Sequence, residues 1–175
     1  TWLRLSGFNL YLNYRAFLGF DLSGISGTVT AVTLTLTRHT AGNFPIIHFL
    51  ASEASDAVGT SDYQNGIVGA TGYPFTDDAT EFTDSGINLN ADGGDVGDTI
   101  TVTLNTAAIT HANAVIGSGK FKVAILNQYD FNNTYASSGI GDAFGIGGGY
   151  FRSTQHATGG DHPILNVTTT PSVPT

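Results

Sequence analysis

RAFLGFDLSGISGTVTAVTLTLT, residues 15–37, contains two runs in which apolar and polar side chains alternate. The apolar positions are Ala16, Leu18, Phe20 and Leu22 in the first run, and Val32, Leu34 and Leu36 in the second. Thr33, Thr35 and Thr37 fall on the opposite face of the second run. Alternation with a period of two, together with β-branched residues, predicts strands with one buried face. We therefore expect two core strands joined by a Ser/Gly-rich turn.

Further strands are predicted on both sides of this stretch. The opening segment alternates up to Ser6-Gly7 and resumes after it, which indicates a strand broken at that dipeptide. Strand patterns follow at residues 44–51, 99–104, 120–127, 149–155 and 163–169. His48 lies within the first of these runs, and we expect a hydrogen-bonded core or edge residue there rather than a ligand. Residues 129–149 are predicted to be a polar, Gly-rich loop.

One short helix interrupts the strand pattern. Thr106 is its candidate N-cap, and apolar residues then recur at helical spacing. The apolar stripe comprises Ile109, Ala112, Val115 and Ile116. His111 lies off this stripe and is expected to be exposed. Roughly eight to ten strands, one helix and no strand–helix alternation predict an all-β fold, an antiparallel sandwich or jelly roll.

Composition excludes several classes of function. The chain has 175 residues, a net charge of −8 and only 11% charged residues. Between Arg38 and Lys120 there is no Lys or Arg, but there are ten acidic residues. A nucleic-acid partner requires clustered basic residues, so we expect none. The sequence has no Cys, which excludes disulfides and thiolate metal sites.

The length indicates one domain. A chain of this size buries one core well and is short for two. We expect a single β-sandwich domain at residues 1–170, followed by a Pro- and Thr-containing tail or linker at residues 171–175. No apolar run of about 18 residues occurs, so we do not expect the chain to span a membrane.

The order of these patterns resembles that of a family of jelly-roll modules. Residues 15–23, RAFLGFDLS, resemble the R-x-F-L-x-F-D-L/T-S strand of that family. The later matches are the strand at 29–37, the strand and helix at 99–116, and the strands at 120–127, 150–154 and 163–167. On these motifs, most of residues 9–170 resembles the DNRLRE-type (disaggregatase-related) jelly roll of secreted surface proteins. The chain is also similar to modules of phage virion and tail proteins.

The resemblance implies a jelly-roll fold and a non-catalytic role in assembly or surface binding. It carries over no catalytic residue. Asp21 is the one polar position in the strongest motif, and we expect its carboxylate to accept hydrogen bonds from turn N–H groups after the strand. The resemblance also implies a location on a virion surface or outside the cell.

No catalytic motif is present. Gly117-Ser118-Gly119-Lys120 lacks the remainder of a phosphate-binding loop, and the Gly-rich residues 139–149 lack the strand-to-helix context of a dinucleotide site. Nothing places two acidic residues across one cleft, as a glycosidase requires. We therefore expect neither an enzyme nor an obligatory cofactor.

Calcium is the one metal that the acidic loops would suit. The candidate groups are Asp92, Asp95 and Asp98 in DGGDVGD, and Asp77-Asp78 with Glu81. Hard cations bind clustered oxygen ligands, although neither group matches an EF-hand loop. Solvated loop acids are the simpler interpretation of both groups.

Two functions remain open. The first is a structural or assembly protein that contacts copies of itself or neighbouring structural proteins, which low charge and the Thr/Pro tail favour. The second is a carbohydrate-binding module that uses loop aromatics and polar side chains to bind glycans. Its candidate ligands are Tyr129, Asp130, Asn132, Asn133, Tyr135 and Arg152. The aromatic residues among them are equally suited to capping the core.

Overall fold

Antiparallel strands make up most of the computed structural model, which describes residues 3–5, 8–10, 15–39, 46–57, 62, 66–70, 75, 78–88, 95–133, 151 and 161–171. The strands are β1 (Leu3–Leu5), β2 (Phe8–Leu10), β3 (Ala16–Asp21), β4 (Thr28–Thr37), β5 (Ile46–Ala51), β6 (Ile87–Asn88), β7 (Thr99–Thr103), β8 (Lys120–Asn127) and β9 (Ile164–Thr170). The helices are α1 (Thr106–Val115) and α2 (Gln128–Phe131). The prediction of an all-β fold is confirmed.

The strands form two main sheets and a separate hairpin. One sheet has the order β3-β8-β5-β6, the other has the order β7-β4-β9, and β1 pairs with β2. Every strand pairing is antiparallel. The largest hydrophobic cluster combines inward residues of β4 and β7 with those of β5 and β8, so the core lies between the two sheets. The β-sandwich is confirmed, and jelly-roll connectivity stays a prediction.

Strand β4 follows its sequence pattern closely. Val32, Leu34 and Leu36 are fully buried, while Thr33 and Thr35 are partly exposed. A β-bulge between Val29 and Ala31 resets the alternation near the start of the strand. The prediction for Thr37 is wrong, because it is only 3% exposed. Arg38, which follows it, is also buried and its backbone is hydrogen-bonded to the turn at residues 95–98, so this end of β4 is enclosed on both faces.

Asp21 and Gly27 determine how the chain passes from β3 to β4. The Asp21 carboxylate accepts a hydrogen bond from the Ser23 N–H at 2.9 Å, as predicted. Hydrogen bonds from Ser23 lower the pKa of Asp21. Gly27 has a φ of +101°, and a Cβ there would collide with the Thr170 carbonyl oxygen. Glycine is therefore required where β4 begins beside the end of β9.

Helix α1 is confirmed, but its predicted cap is wrong. Asn105, not Thr106, is the N-cap, and its Oδ1 accepts hydrogen bonds from Ala107 N at 3.0 Å and Ala108 N at 3.4 Å. Asn105 is also held by the bond from its Nδ2 to the Glu81 carbonyl at 3.2 Å. The fully buried helix residues are Ala108 and Ala112, while Ile109, Val115 and Ile116 are partly buried against the core.

Asn113 of α1 extends the pairing of β4 beyond the end of β7. Its Oδ1 accepts from Val29 N at 2.8 Å, and its Nδ2 donates to Val29 O at 3.0 Å. A helix side chain thus satisfies the two backbone groups that a neighbouring strand would otherwise satisfy.

Helix α2 corrects the prediction of a single helix. It is one turn long and occupies the start of the segment predicted as a loop. The Asn127 side chain accepts a hydrogen bond from Asp130 N at 2.9 Å, which caps the turn. Of the strand predicted at 149–155, only Phe151 lies within the described residues, where it forms a β-bridge with Arg38. In the described part of the chain, neither helix has the length and apolar character needed to cross a bilayer.

Candidate functional site

The outward side of the β7-β4-β9 sheet is an almost pure threonine surface. We call it the threonine face. It consists of Thr28, Thr30, Thr33, Thr35, Thr99, Thr101, Thr103, Ile164, Asn166, Thr168 and Thr170. These positions are exposed or partly exposed, and none of them is charged. Their opposite neighbours along each strand face the core, so the alternation of each strand produces the face.

Strand register aligns the threonine face into rows. Thr103, Thr33 and Asn166 form one row across the three strands, and Thr101, Thr35 and Ile164 form the next. Thr35 Oγ1 and Thr101 Oγ1 lie 2.9 Å apart and share a hydrogen bond. The face therefore offers methyl and hydroxyl groups at regular spacing.

The acidic DGGDVGD stretch forms a turn that two of its own acids close. Asp98 Oδ2 accepts a hydrogen bond from Asp95 N at 3.0 Å, and Asp98 N donates to Asp95 O at 3.2 Å. Asp92 lies outside the described residues. Among those described, no three His, Cys, Asp or Glu side chains lie close enough together to hold a metal ion. Calcium binding by Asp92, Asp95 and Asp98 stays a prediction.

Glu81 of the second acidic group binds a histidine. Its Oε1 lies 2.7 Å from His48 Nδ1 and accepts a hydrogen bond from Thr83 Oγ1 at 3.1 Å. His48 is 8% exposed, and its ring stacks on Phe131 with 3.9 Å between centroids. The prediction that His48 is a hydrogen-bonded core residue is confirmed. Asp77 lies outside the described residues.

Asp130, a candidate glycan ligand, lies inside the protein. Its two carboxylate oxygens accept hydrogen bonds from Arg15 Nε at 2.7 Å and Arg15 Nη2 at 2.9 Å. Both side chains are 0% exposed. The Arg15 guanidinium also lies over the Phe75 ring, 4.8 Å from its centroid. This geometry commits Asp130 to an internal ion pair and does not place it at a glycan-binding surface.

Of the other five candidate glycan ligands, three lie within the described residues and two lie outside them. Tyr129 and Asn132 are partly exposed on α2 and at its end, and Asn133 is exposed with a φ of +50°. They lie close in sequence beside the buried anchors Asp130 and Phe131. Tyr135 and Arg152 lie outside the described residues.

A cleft of about 150 Å³ holds the only two lysines of the chain. Its lining includes Phe17 and Gly19 of β3, with Lys120 and Lys122 of β8. Asp56 lies 2.6 Å from the Lys120 ammonium and 3.3 Å from that of Lys122. Hydrogen bonds from the lysines lower the pKa of Asp56, and the Asp56 carboxylate raises the pKa of Lys120. Asp56 thus offsets one of the two lysine charges, and the lining of the cleft keeps one net positive charge.

The prediction that His111 is exposed is wrong. Its ring is partly buried, with centroids 5.4 Å from both Phe82 and Phe121. Its Nε2 is buried and has no hydrogen-bond partner among the described residues. This burial lowers the pKa of His111 below its usual value of 6.5. The neutral imidazole therefore fits the aromatic site, and the imidazolium does not.

Acid should destabilise the protein through His111. Because its folded-state pKa is lowered, the unfolded chain binds this proton first, and stability falls as the pH drops below about 6.5. We expect a smaller loss of unfolding free energy between pH 7 and pH 5 in His111→Leu than in the wild type, as measured by urea denaturation. The control is Thr110→Leu at the neighbouring exposed position of α1, which changes no titratable group and should leave the wild-type loss unchanged. Equal losses in all three proteins would contradict the role of His111.

Several of these side chains could not be selected from the sequence. Arg15 and Asp130 are 115 positions apart, and no local pattern links them. The sequence weakly indicated that Lys120 and Lys122 lie side by side, because alternate positions on a strand share a face and the chain has no other lysine. Nothing in the sequence indicated that His111 is buried, because its burial depends on the aromatic residues that two other segments place beside α1.

Comparison of the sequence with protein-family models and with curated proteins found no match.

Proposed function

We propose that this chain is a non-catalytic structural protein of a virion or another extracellular surface structure, and that it acts through protein–protein contacts of its β-sandwich. The threonine face is the observation that supports this function. It presents hydroxyl and methyl groups on three adjacent strands without a single charge. The rest of the chain carries all 20 charged residues, 14 acidic and six basic.

An uncharged face is easily removed from water. Burying an unpaired ion costs several kcal/mol, whereas a hydroxyl that keeps a hydrogen-bond partner costs much less. The bond between Thr35 and Thr101 already satisfies one hydroxyl donor without solvent. The centres of protein interfaces are depleted in charged residues. The threonine face therefore suits contact with another protein, including another anionic copy of this chain.

Carbohydrate binding is the second candidate, and the surface of α2 favours it. Tyr129, Asn132 and Asn133 offer a ring and two amides beside a rigidly anchored turn. A tyrosine ring stacks on sugar faces while amides bond to hydroxyls. Three of the six predicted ligands support this candidate. Asp130 is committed to Arg15, and Tyr135 and Arg152 lie outside the described residues.

The state of the full chain in solution tests the proposal. We expect light scattering and electron microscopy to detect ordered association that increases with protein concentration. Thr101→Lys places a charge in the middle of the threonine face, and we expect it to weaken association at least about tenfold, equivalent to about 1.4 kcal/mol. Thr110→Lys is the matched control, because it makes the same change at an exposed position of α1 and should leave association unchanged.

Equal association of both lysine variants and the wild type would rule out the threonine face as the contact. The second candidate would gain instead if the chain stays monomeric and binds a glycan on an array, with binding lost in Tyr129→Ala.

A further inference from the structure

Strand β9 is the longest sheet edge in the described part of the chain. The two main sheets end in β3 and β6, and in β7 and β9. Strand β9 has seven residues, whereas β3 has six, β7 has five and β6 has two. An edge strand leaves a row of backbone N–H and C=O groups available to another strand.

The inward side chains of β9 are less buried than those of the opposite edge. Leu165 and Val167 pack against the core but remain partly exposed. Ile100 and Val102 of β7 occupy the same layer of the core and are each only 4% exposed. A strand added beside β9 would cover Leu165 and Val167, and this burial would favour its addition.

Within its seven residues, edge β9 also lacks the features that block strand addition, and the prolines nearest to it, Pro163 and Pro171, lie directly outside the strand. Its sequence, ILNVTTT, contains no charge and no Pro. Sheet edges are commonly protected by lysine, other charges or proline. Strand β3 ends in Asp21, and β7 follows directly after Asp98, so each of these edges carries an acidic group at one end. Strand β9 alone combines length with the absence of charge.

We propose that β9 pairs antiparallel with β9 of a second copy, about a two-fold axis perpendicular to the sheet. This inference rests on the proposed function and names the first partner in the assembly. A two-fold axis brings the same surface of both copies together, which requires a patch that is complementary to itself. An uncharged strand meets that requirement in a chain of net charge −8, where any acidic edge would repel its copy.

Pairing would also enlarge the threonine face. Three strands spaced about 4.8 Å apart, with about 3.3 Å per residue over seven residues, cover only about 300 Å². A standard interface buries about 800 Å² per partner. Joining two copies through β9 makes one six-stranded sheet and doubles the continuous face to about 600 Å². The dimer, rather than the single chain, would then offer a docking surface to neighbouring structural proteins.

Cysteine cross-linking of the full chain tests the pairing, because the natural sequence contains no Cys. Ile164, Asn166 and Thr168 face outward on β9 and are each replaced by Cys. In a two-fold antiparallel pair, at least one of these variants, or a mixture of two, brings Cβ atoms within about 5.5 Å. Thr103→Cys is the control, because Thr103 lies in the same row as Asn166 but on the opposite edge strand.

Under mild oxidation, we expect at least about ten times more disulfide-linked dimer from the best β9 variant or mixture than from Thr103→Cys. All four replacements are on the solvent side of the sheet, and unchanged melting temperatures verify that each variant is folded. A chain that associates but cross-links no better at β9 than at Thr103 would overturn edge pairing and leave the proposed function standing. Monomeric wild type without cross-linking at β9 would overturn edge pairing and, because the proposed function predicts association of the chain, the proposed function as well.

Discussion

Asp130→Asn is expected to lower the free energy of unfolding by about 3–5 kcal/mol. The substitution keeps the size of the side chain but removes the charge that pairs with the buried Arg15 guanidinium. Both side chains are fully buried and joined by two short hydrogen bonds, so solvent cannot compensate. Chemical denaturation of the wild type and the variant measures the loss. A loss below about 1 kcal/mol would be typical of an exposed pair and would contradict this burial.

The reverse variant, Arg15→Met, should show a pH dependence of known sign. Burial raises the pKa of Asp130, and the hydrogen bond and positive charge of Arg15 oppose this rise. Without Arg15 the folded-state pKa rises further, so the stability lost by the variant is smaller below that pKa and larger above it. We therefore expect Arg15→Met to be less destabilised, relative to wild type, at pH 5 than at pH 8. Equal destabilisation at both values would mean that Asp130 keeps its charge without Arg15.

Phe121→Ala is expected to cost about 3–5 kcal/mol of unfolding free energy. Phe121 is 0% exposed, and its ring centroid lies 5.1 Å from that of Phe82 and 5.4 Å from that of His111. Truncation would leave a cavity among side chains of β8, α1 and the segment after β5. Denaturant titration at pH 7 measures the effect.

Phe20→Ala is the matched control for this truncation. Phe20 is directly opposite Phe121 in the β3–β8 register, so both face the same layer of the core. Phe20 is only partly buried, because β3 is an edge strand in the described structure. We expect its truncation to cost about 2 kcal/mol, close to the transfer free energy of the buried part of the ring. Equal losses at Phe20 and Phe121 would indicate that the edge is as enclosed as the centre.

The strands could be predicted from the sequence because the pattern that indicates them is local. In a strand, neighbouring side chains face opposite sides, so a buried face imposes a period of two on the residues themselves. Strand β4 was predicted with its inward residues Val32, Leu34 and Leu36, and β7 and β8 were predicted as strands at residues 99–104 and 120–127. Helix α1 was also predicted, although Asn105 replaced Thr106 as its cap because a contact with Glu81 holds it there.

The internal polar contacts could not be predicted from local sequence patterns. The bonds between Arg15 and Asp130 span 115 positions, and those between Asn113 and Val29 span 84. Such pairs depend on which strands become neighbours and on where a helix crosses the sheet. For the same reason Asp130 was a plausible surface ligand in the sequence, whereas the fold places it inside.

The threonine face was determined partly by the sequence pattern of each strand and partly by the tertiary structure. The alternation in TITVT and TLTLT already placed threonines on one side of two strands, because period two is a property of the extended backbone. In NVTTT the same period places Thr168 and Thr170 on that side and Thr169 on the other. Only the tertiary structure placed β4 between β7 and β9, which are separated in sequence by residues 104–163, about a third of the chain. Each of the three strands has one uncharged, polar side. Hydrogen bonding between strands distant in sequence, and not a local preference, therefore joined these sides into one continuous uncharged surface.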